Sequence, residues 1–312
     1  MEILQSTLAG VRVGEPRQFR NLTLFPLFGG AAIEPDYLTV DEAIESGDVE
    51  ITEGPNRASV GELQFQNRGA SAVLVIDGEE LIGAMQNRIV NVTILVPAKS
   101  KVTIPVSCVE RGRWSARSRA FQPAPQTQFA TGRASRLFSV SRSLAEGAGF
   151  SGDQGAVWHG ILAKEAALGH HSPTEAMADI YQSRDPELSE FVDALQPEPE
   201  QTGAAFVLPG TLVALELFDS AATLRRLLPK LVRSFAVDAI DPRYQGGGRA
   251  QRELVLDLIE RLRQAKRSVF PAIGEGENVR IDDLGLTASA LVARERVVHL
   301  TAYSPVAGRS AR

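Results

Sequence analysis

One cysteine in 312 residues, Cys108, excludes an intrachain disulfide and any zinc site built from several cysteines. That scarcity of thiols is compatible with a reducing compartment. Apolar runs are short, and none approaches the about 18 residues a membrane helix needs. The opening MEILQSTLAG lacks a basic start and an apolar stretch behind it, so no signal peptide is expected and a cytoplasmic location is. The strong catalytic phrases are missing too: GxxxxGK[ST], GxSxG, HExxH and a Rossmann GxGxxG after a strand. Gly274-Glu-Gly276 lacks a third glycine and reads as a hairpin turn. No cofactor is evident. No metal set is expected either, because His170 and His171 adjoin in a turn where their side chains diverge, and His159 falls on the solvent side of a helix. A formal net charge of −5 argues against nucleic-acid binding by the surface as a whole.

What is present is a core: 44% hydrophobic residues against 23% charged ones is the composition of a globular protein. Its centre is Val73–Trp114. Ile89–Val96 and Lys101–Val109 are rich in Val, Ile and Thr with period-two alternation, separated by Pro97-Ala-Lys-Ser100, which predicts a β-hairpin. Placing Val96 opposite Val102 superimposes the two apolar faces, with Val90 then opposite Cys108 and Arg88 opposite Glu110. A charged pair ending an apolar ladder demands an explanation, since unpaired buried charge is expensive. Two are open: a structural ion pair closing the sandwich, or the floor of a ligand pocket.

The first half reads as β throughout. Leu8–Val13, Asn21–Phe28, Asp48–Thr52 and Gly61–Asn67 are strand-like, with Gly29-Gly30 and Gly54-Pro55-Asn56 as breaks. Thr39-Val-Asp-Glu42 has capping-box spacing for a short helix through Glu45. Ala72–Ile76 meets Asp77-Gly78, a type I′ turn dipeptide, and returns through Glu79–Ile82. From 111 to 145 there is no Asp or Glu, seven arginines are interleaved with Trp114, Phe121, Phe129 and Phe138, and Pro123 and Pro125 forbid a long helix across the segment. This predicts an irregular arm, either lying on an acidic body or touching anions and nucleic-acid bases.

Helices dominate next. Asp153–Leu168 is amphipathic with Gly169 behind it, and Ser172-Pro-Thr-Glu175 and Asp185-Pro-Glu187 look like helix starts. Ala204–Leu208 and Leu212–Phe218 form a second hairpin about Pro209-Gly210. Ser220–Ile240 is helical, with Pro229 kinking or splitting it, and Gly246-Gly-Gly248 precedes a helix over Ala250–Lys266. Strands close the chain at Val269–Ile273, Val279–Ile281, Leu286–Val292 and Val297–Tyr303. The fold class is α+β: an antiparallel sandwich or jelly-roll-like body over 1–145 with the arm at 111–145, an α+β half over 146–304 with a short antiparallel sheet, and a disordered tail over 305–312.

The candidate ligand-binding residues follow from GEELIGAMQNR and the ladder's end. Glu79, Glu80, Gln86, Asn87, Arg88 and Glu110 would line a polar pocket, with Arg111, Arg113 and Trp114 at its mouth. Carboxylates and amides suit a polyol such as ribose, and arginine suits phosphate; the same set could be a hydrogen-bonded structural corner. Catalytic candidates are Glu80 with Glu110 as a carboxylate pair, and His299 as a general base or a satisfied core histidine. Cys108 reads as buried and inert.

The phrase GEELIGAMQNRIVNVTILVPAKSKVTIPVSCVERGRW resembles a family of prokaryotic proteins named for association with ADP-ribosylglycohydrolases and rhodanese–phosphatase proteins. SPTEAMADIY, QTGAAFVLPGTLVALELFD and VVHLTAYS are similar to it as well, so the resemblance covers most of Leu8–Tyr303. LPGTLVALELF departs from it where the family carries a glycine pair. The resemblance implies a neighbourhood of ADP-ribose and NAD metabolism and no catalytic residue. The leading expectation is a cytoplasmic protein binding or processing a nucleotide- or ADP-ribose-like ligand. The competing one is a scaffold whose arm holds an acidic partner or RNA.

Overall fold

The structure is a computed structural model that describes residues 2–29, 33–54, 60–244 and 250–306. Gly30, Pro55-Asn56, the Gly246–Gly248 run and the tail from 307 onward lie outside the described residues. The fold is α+β with almost entirely antiparallel pairing. A nine-stranded sheet runs in the order Arg12–Val13, Leu22–Phe28, Gly203–Leu208, Leu212–Phe218, Arg296–Pro305, Leu286–Ala293, Glu277–Asp283, Ser268–Pro271, and Arg17–Phe19 pairs with Leu22–Phe28. Strands from both ends of the chain therefore share this sheet, through Leu22–Phe28 beside Gly203–Leu208.

This sheet is covered on both faces, which is why its central strands are continuously apolar rather than alternating. Leu24, Ala204 and Phe206 point into one core with helix α7 (Ala221–Ala239), and Phe25, Leu27, Ala205 and Val207 into another with α1 (Glu2–Ala9) and α8 (Arg252–Gln264). Against the first face stand two smaller sheets. One has three strands, Ile94–Val96, Ala72–Val75 and Tyr37–Thr39. The other has six, ordered Phe121–Thr127, Glu79–Gly83, Arg88–Val90, Ser100–Cys108, Glu62–Asn67, Val49–Glu53.

Local signals hold. Thr39 and Glu42 make a complete capping box at the start of α2 (Val40–Glu45), Asp153 caps α4 (Gln154–Leu168), and Gly169 ends it at φ +62°. The 203–218 hairpin, the α8 apolar stripe, the turn at Gly274–Gly276 and the four closing strands are present.

Non-local pairing differs. Ile89–Val96 is split at Asn91–Thr93: Arg88–Val90 pairs with Val106–Cys108, whereas Ile94–Val96 joins the three-stranded sheet. Arg88 stands opposite Cys108, not Glu110, a shift of two residues that keeps Arg88, Val90, Val106 and Cys108 on one face. Ala72–Val75 and Glu79–Gly83 lie in different sheets, so Asp77-Gly78 turns a corner between sheets instead of closing a hairpin. Leu8–Val13 is the end of α1 and a two-residue strand. Ser172 caps a turn, its hydroxyl accepting from Thr174 N and Ala176 N, and α5 begins later at Met177. Pro229 sits inside one unbroken α7. The arginine-rich segment is ordered: Phe121–Thr127 is an edge strand, where proline costs no ladder bond, and α3 follows over Ala130–Ala145.

Candidate functional site

The bend at 84–87 between Glu79–Gly83 and Arg88–Val90 brings most of the predicted ligand set together. Gln86 donates to Glu110 O (2.8 Å), Asn87 N donates to Glu110 Oε2 (3.1 Å), and Arg88 donates to Gln86 Oε1 (3.0 Å). Arg113 forks onto both Glu110 oxygens at 2.8 and 2.6 Å and donates to Ala84 O. Burial raises the Glu110 pKa, but the Arg113 guanidinium and the Asn87 amide outweigh it and hold the carboxyl below its usual range. These groups bury one another: Gln86, Asn87, Arg88 and Glu110 are each at most 2% exposed. Glu110 pairs closely with Arg113 and more distantly with Arg117 (3.7 Å), and Arg88 has no carboxylate within 4.0 Å among the described residues.

The remaining candidates disperse. Glu79 meets the Lys230 ammonium, which also binds Asp41 (2.7 Å). Glu80 accepts one bond, from Gln126 (2.7 Å), and its Oε1 has no partner. Burial, reinforced by Glu110 and Asp179, pushes Glu80 up to about 8. Trp114 and Arg111 are exposed on the loop that follows, with Arg111 stacked on Trp158. The hollow beside that loop, about 680 Å³, is lined by Glu53, Ala84, Met85, Arg117 and Arg119, and not by the buried carboxyls. His299 is a satisfied core histidine, bonded to Thr93 (2.8 Å) and Glu216 (2.9 Å) and stacked on Phe218. Cys108 is buried, and burial raises its thiol pKa.

The arginine-rich segment turns three of its seven arginines inward, Arg113, Arg133 and Arg136. The stripe Arg133, Arg136/Leu137, Val140, Leu144 of α3 faces the core, and Asp77 receives Arg133 (3.2 Å) and Arg136 (3.1 Å) while Glu216 receives Arg133 (2.8 Å). Burial raises the Asp77 pKa, yet the two guanidiniums hold it well below the carboxylate range.

A cleft lies elsewhere, between α3 and α4, with Arg243 and Tyr244 in its lining. Its inner cavity is about 160 Å³. Small residues make the room: Gly132, Ala156, Gly160 and Ala163 line it, and a Cβ at Gly132 would meet Phe129 at 2.7 Å and Gln128 Nε2 at 2.8 Å. Gln128 is 1% exposed; its Oε1 accepts from Arg136 (2.9 Å), while its Nε2 meets no hydrogen-bond partner among the described residues. The Lys164 ammonium lies over the rings of Phe129 (5.1 Å) and Tyr244 (4.6 Å). Past Ser135, Ser139, Asp153 and Ala156 the cleft widens into a groove of about 360 Å³ reaching Phe138 and Arg142. The sequence reading missed this site, because its signal is only small residues facing each other from two helices.

Among the described residues no three His, Cys, Asp or Glu side chains are grouped to hold a metal ion, and no described helix is long and apolar enough to cross a membrane. No curated protein matches the chain, and no solved structure does. The model of the ARG and Rhodanese-Phosphatase-superfamily-associated Protein domain, ARPP-1, matches residues 10–303, and the chain belongs to that family.

Proposed function

We propose that the protein binds a nucleotide- or ADP-ribose-like small molecule in the α3/α4 cleft. One observation carries the reading: Gln128, whose Nε2 donates to no described residue, lines a ring-sized cavity walled by Phe129, Tyr244 and cationic side chains. A cavity of about 150 Å³ lodges a benzene ring, so 160 Å³ suits a nucleobase or a pentose. In this reading the aromatic walls take the ring, Gln128 and Ser135 meet hydroxyls, and Arg142 in the outer groove meets phosphate. The family's association with ADP-ribosylglycohydrolases is consistent with such a ligand. The site moves away from the end of the 73–114 sheet because the side chains there are turned on one another.

A second reading rests on the loop after Glu110. Trp114 is 61% exposed, with the exposed Arg111, Arg117 and Arg119 around it, a surface for an acidic partner or RNA. Those arginines already face Glu175, Glu110 and Glu50 at 3.7 to 3.9 Å, which weakens their field. Titration calorimetry with ADP-ribose and a short RNA, at low and high salt, separates the two. Saturable ADP-ribose binding with little salt dependence, abolished in Gly160→Leu, supports the cleft. RNA binding that falls steeply with salt and ignores Gly160→Leu would replace it with the loop.

A further inference from the structure

Arg280 is a buried cation that has no carboxylate partner among the described residues. It projects from Glu277–Asp283 opposite Ser289, on the sheet face that α3 covers, and is 3% exposed. Its Nε donates to Asn278 Oδ1 (2.6 Å), but Nη1 and Nη2 have no partner, and neither has the neighbouring Asn278 Nδ2. No described carboxylate lies within 4.0 Å of it: Asp77 and Glu216 are taken by Arg133 and Arg136. Donors without acceptors, side by side and shut away from water, are an unfavourable arrangement that a bound acceptor would relieve. Burial is the main cause of a guanidinium pushed down to about 9, with Asp77 opposing it and Arg136 adding to it.

What covers Arg280 is a single aromatic ring on a helix connection. The ring of Phe150 lies 5.8 Å from the guanidinium carbon, face on, and belongs to the α3–α4 connection. That connection is exposed over 145–149, and Gly147 and Gly149 both sit at φ +74°. Its bonds include Gly147 N to Leu144 O (3.1 Å), Ala148 N to Ser143 O (2.8 Å), Ser143 Oγ to Gly149 O (2.8 Å) and Asn91 Nδ2 to Phe150 O (3.1 Å), and Phe150 is a half-buried ring at the edge of a core cluster. Ser151 and Gly152, next along, line the outer groove of the cleft.

We propose that Arg280, with Asn278, is an oxyanion-binding site that opens to the α3/α4 groove when Phe150 swings aside. The fitting ligand is tetrahedral and phosphate-like: two guanidinium N–H groups in a fork and an amide N–H beside them match adjacent oxygens of one such group. Free phosphate and a phosphoryl group of a larger ligand share this chemistry. For the second source the inference rests on the cleft reading above.

The test measures melting temperature and calorimetric affinity with inorganic phosphate, at constant ionic strength against chloride, and in parallel with ADP-ribose. It compares the wild type with Arg280→Gln and Phe150→Ala. Saturable stabilisation of the wild type is expected, with affinity reduced about tenfold to a hundredfold in Arg280→Gln. That variant, relieved of an uncompensated charge, should melt no lower than the wild type in the absence of ligand. A loss confined to ADP-ribose would identify the anion as part of the larger ligand, and a loss with phosphate would identify a free oxyanion. Phe150→Ala should bind tighter, since its cover no longer has to be displaced, and this variant serves if Arg280→Gln fails to fold. Unchanged affinity for both ligands in both variants overturns the proposal. Should ADP-ribose still bind and still be blocked by Gly160→Leu, the cleft reading survives that failure.

Discussion

The Lys164 ammonium lies 2.6 Å from Asp238 and 2.6 Å from Asp241, and all three side chains are at most 1% exposed. Asp238 also accepts from the backbone N–H and hydroxyl of Thr131 at the start of α3, so one lysine on α4 ties α3, α4 and the end of α7 together beneath the cleft. Removing one partner of a buried ionic cluster strands the others, which costs about 3–5 kcal/mol. Lys164→Met should therefore lower the unfolding free energy by that amount in urea titration. A loss under about 1 kcal/mol would mean that the two aspartates find other partners or take up protons.

Arg88 and Arg113 separate structural need from mere burial. Arg113 satisfies both oxygens of buried Glu110, whereas Arg88 serves Gln86 and the Asn87 carbonyl and has no carboxylate in range. Arg113→Met should cost about 3–5 kcal/mol, because a buried carboxylate loses its guanidinium. Arg88→Met replaces a buried cation by an apolar chain and should cost clearly less. Chemical denaturation of the two variants decides this. Equal losses would show that Arg88 carries an ionic role that the geometry does not display.

What the sequence revealed was local. The Thr39/Glu42 capping box, Gly169 after α4 and the hairpin about Pro209-Gly210 each depend on residues a few positions apart, and each is found as read. The Arg88 ladder was misplaced because period-two alternation fixes the face of a strand and cannot distinguish registers two residues apart. Nor does alternation say that a strand changes sheets at Asn91–Thr93. The inward arginines were hidden for a related reason: Arg133 meets Asp77, 56 residues earlier in the chain, so its acid lies far outside the acid-free segment. Among the candidate ligand residues, Gln86, Asn87, Arg88, Glu110 and Arg113 do converge, as their clustering in the chain suggested. That they fill their own space was not legible, since a cavity depends on what the two helices Ala130–Ala145 and Gln154–Leu168 leave empty.

Glu80 should make stability depend on pH in a direction opposite to that of an ion-paired carboxylate. It is fully buried, accepts one bond from Gln126, and has no ion-pair partner among the described residues; burial pushes it up to about 8 from an ordinary 4.5. The folded protein thus keeps a proton that the unfolded chain releases near 4.5. The associated stability is fully present below that value, declines as pH rises, and is gone once the folded carboxyl ionises near 8. Each unit of separation is worth roughly 1.4 kcal/mol, so the decline amounts to a few kcal/mol. Glu80→Gln keeps the shape and removes the titration. Its unfolding free energy should fall less than that of the wild type between pH 5 and 9, leaving the variant the more stable protein at the alkaline end. Urea midpoints of both proteins across that range give the answer. Parallel curves would mean that Glu80 stays ionised in the fold, stabilised by a group other than Gln126.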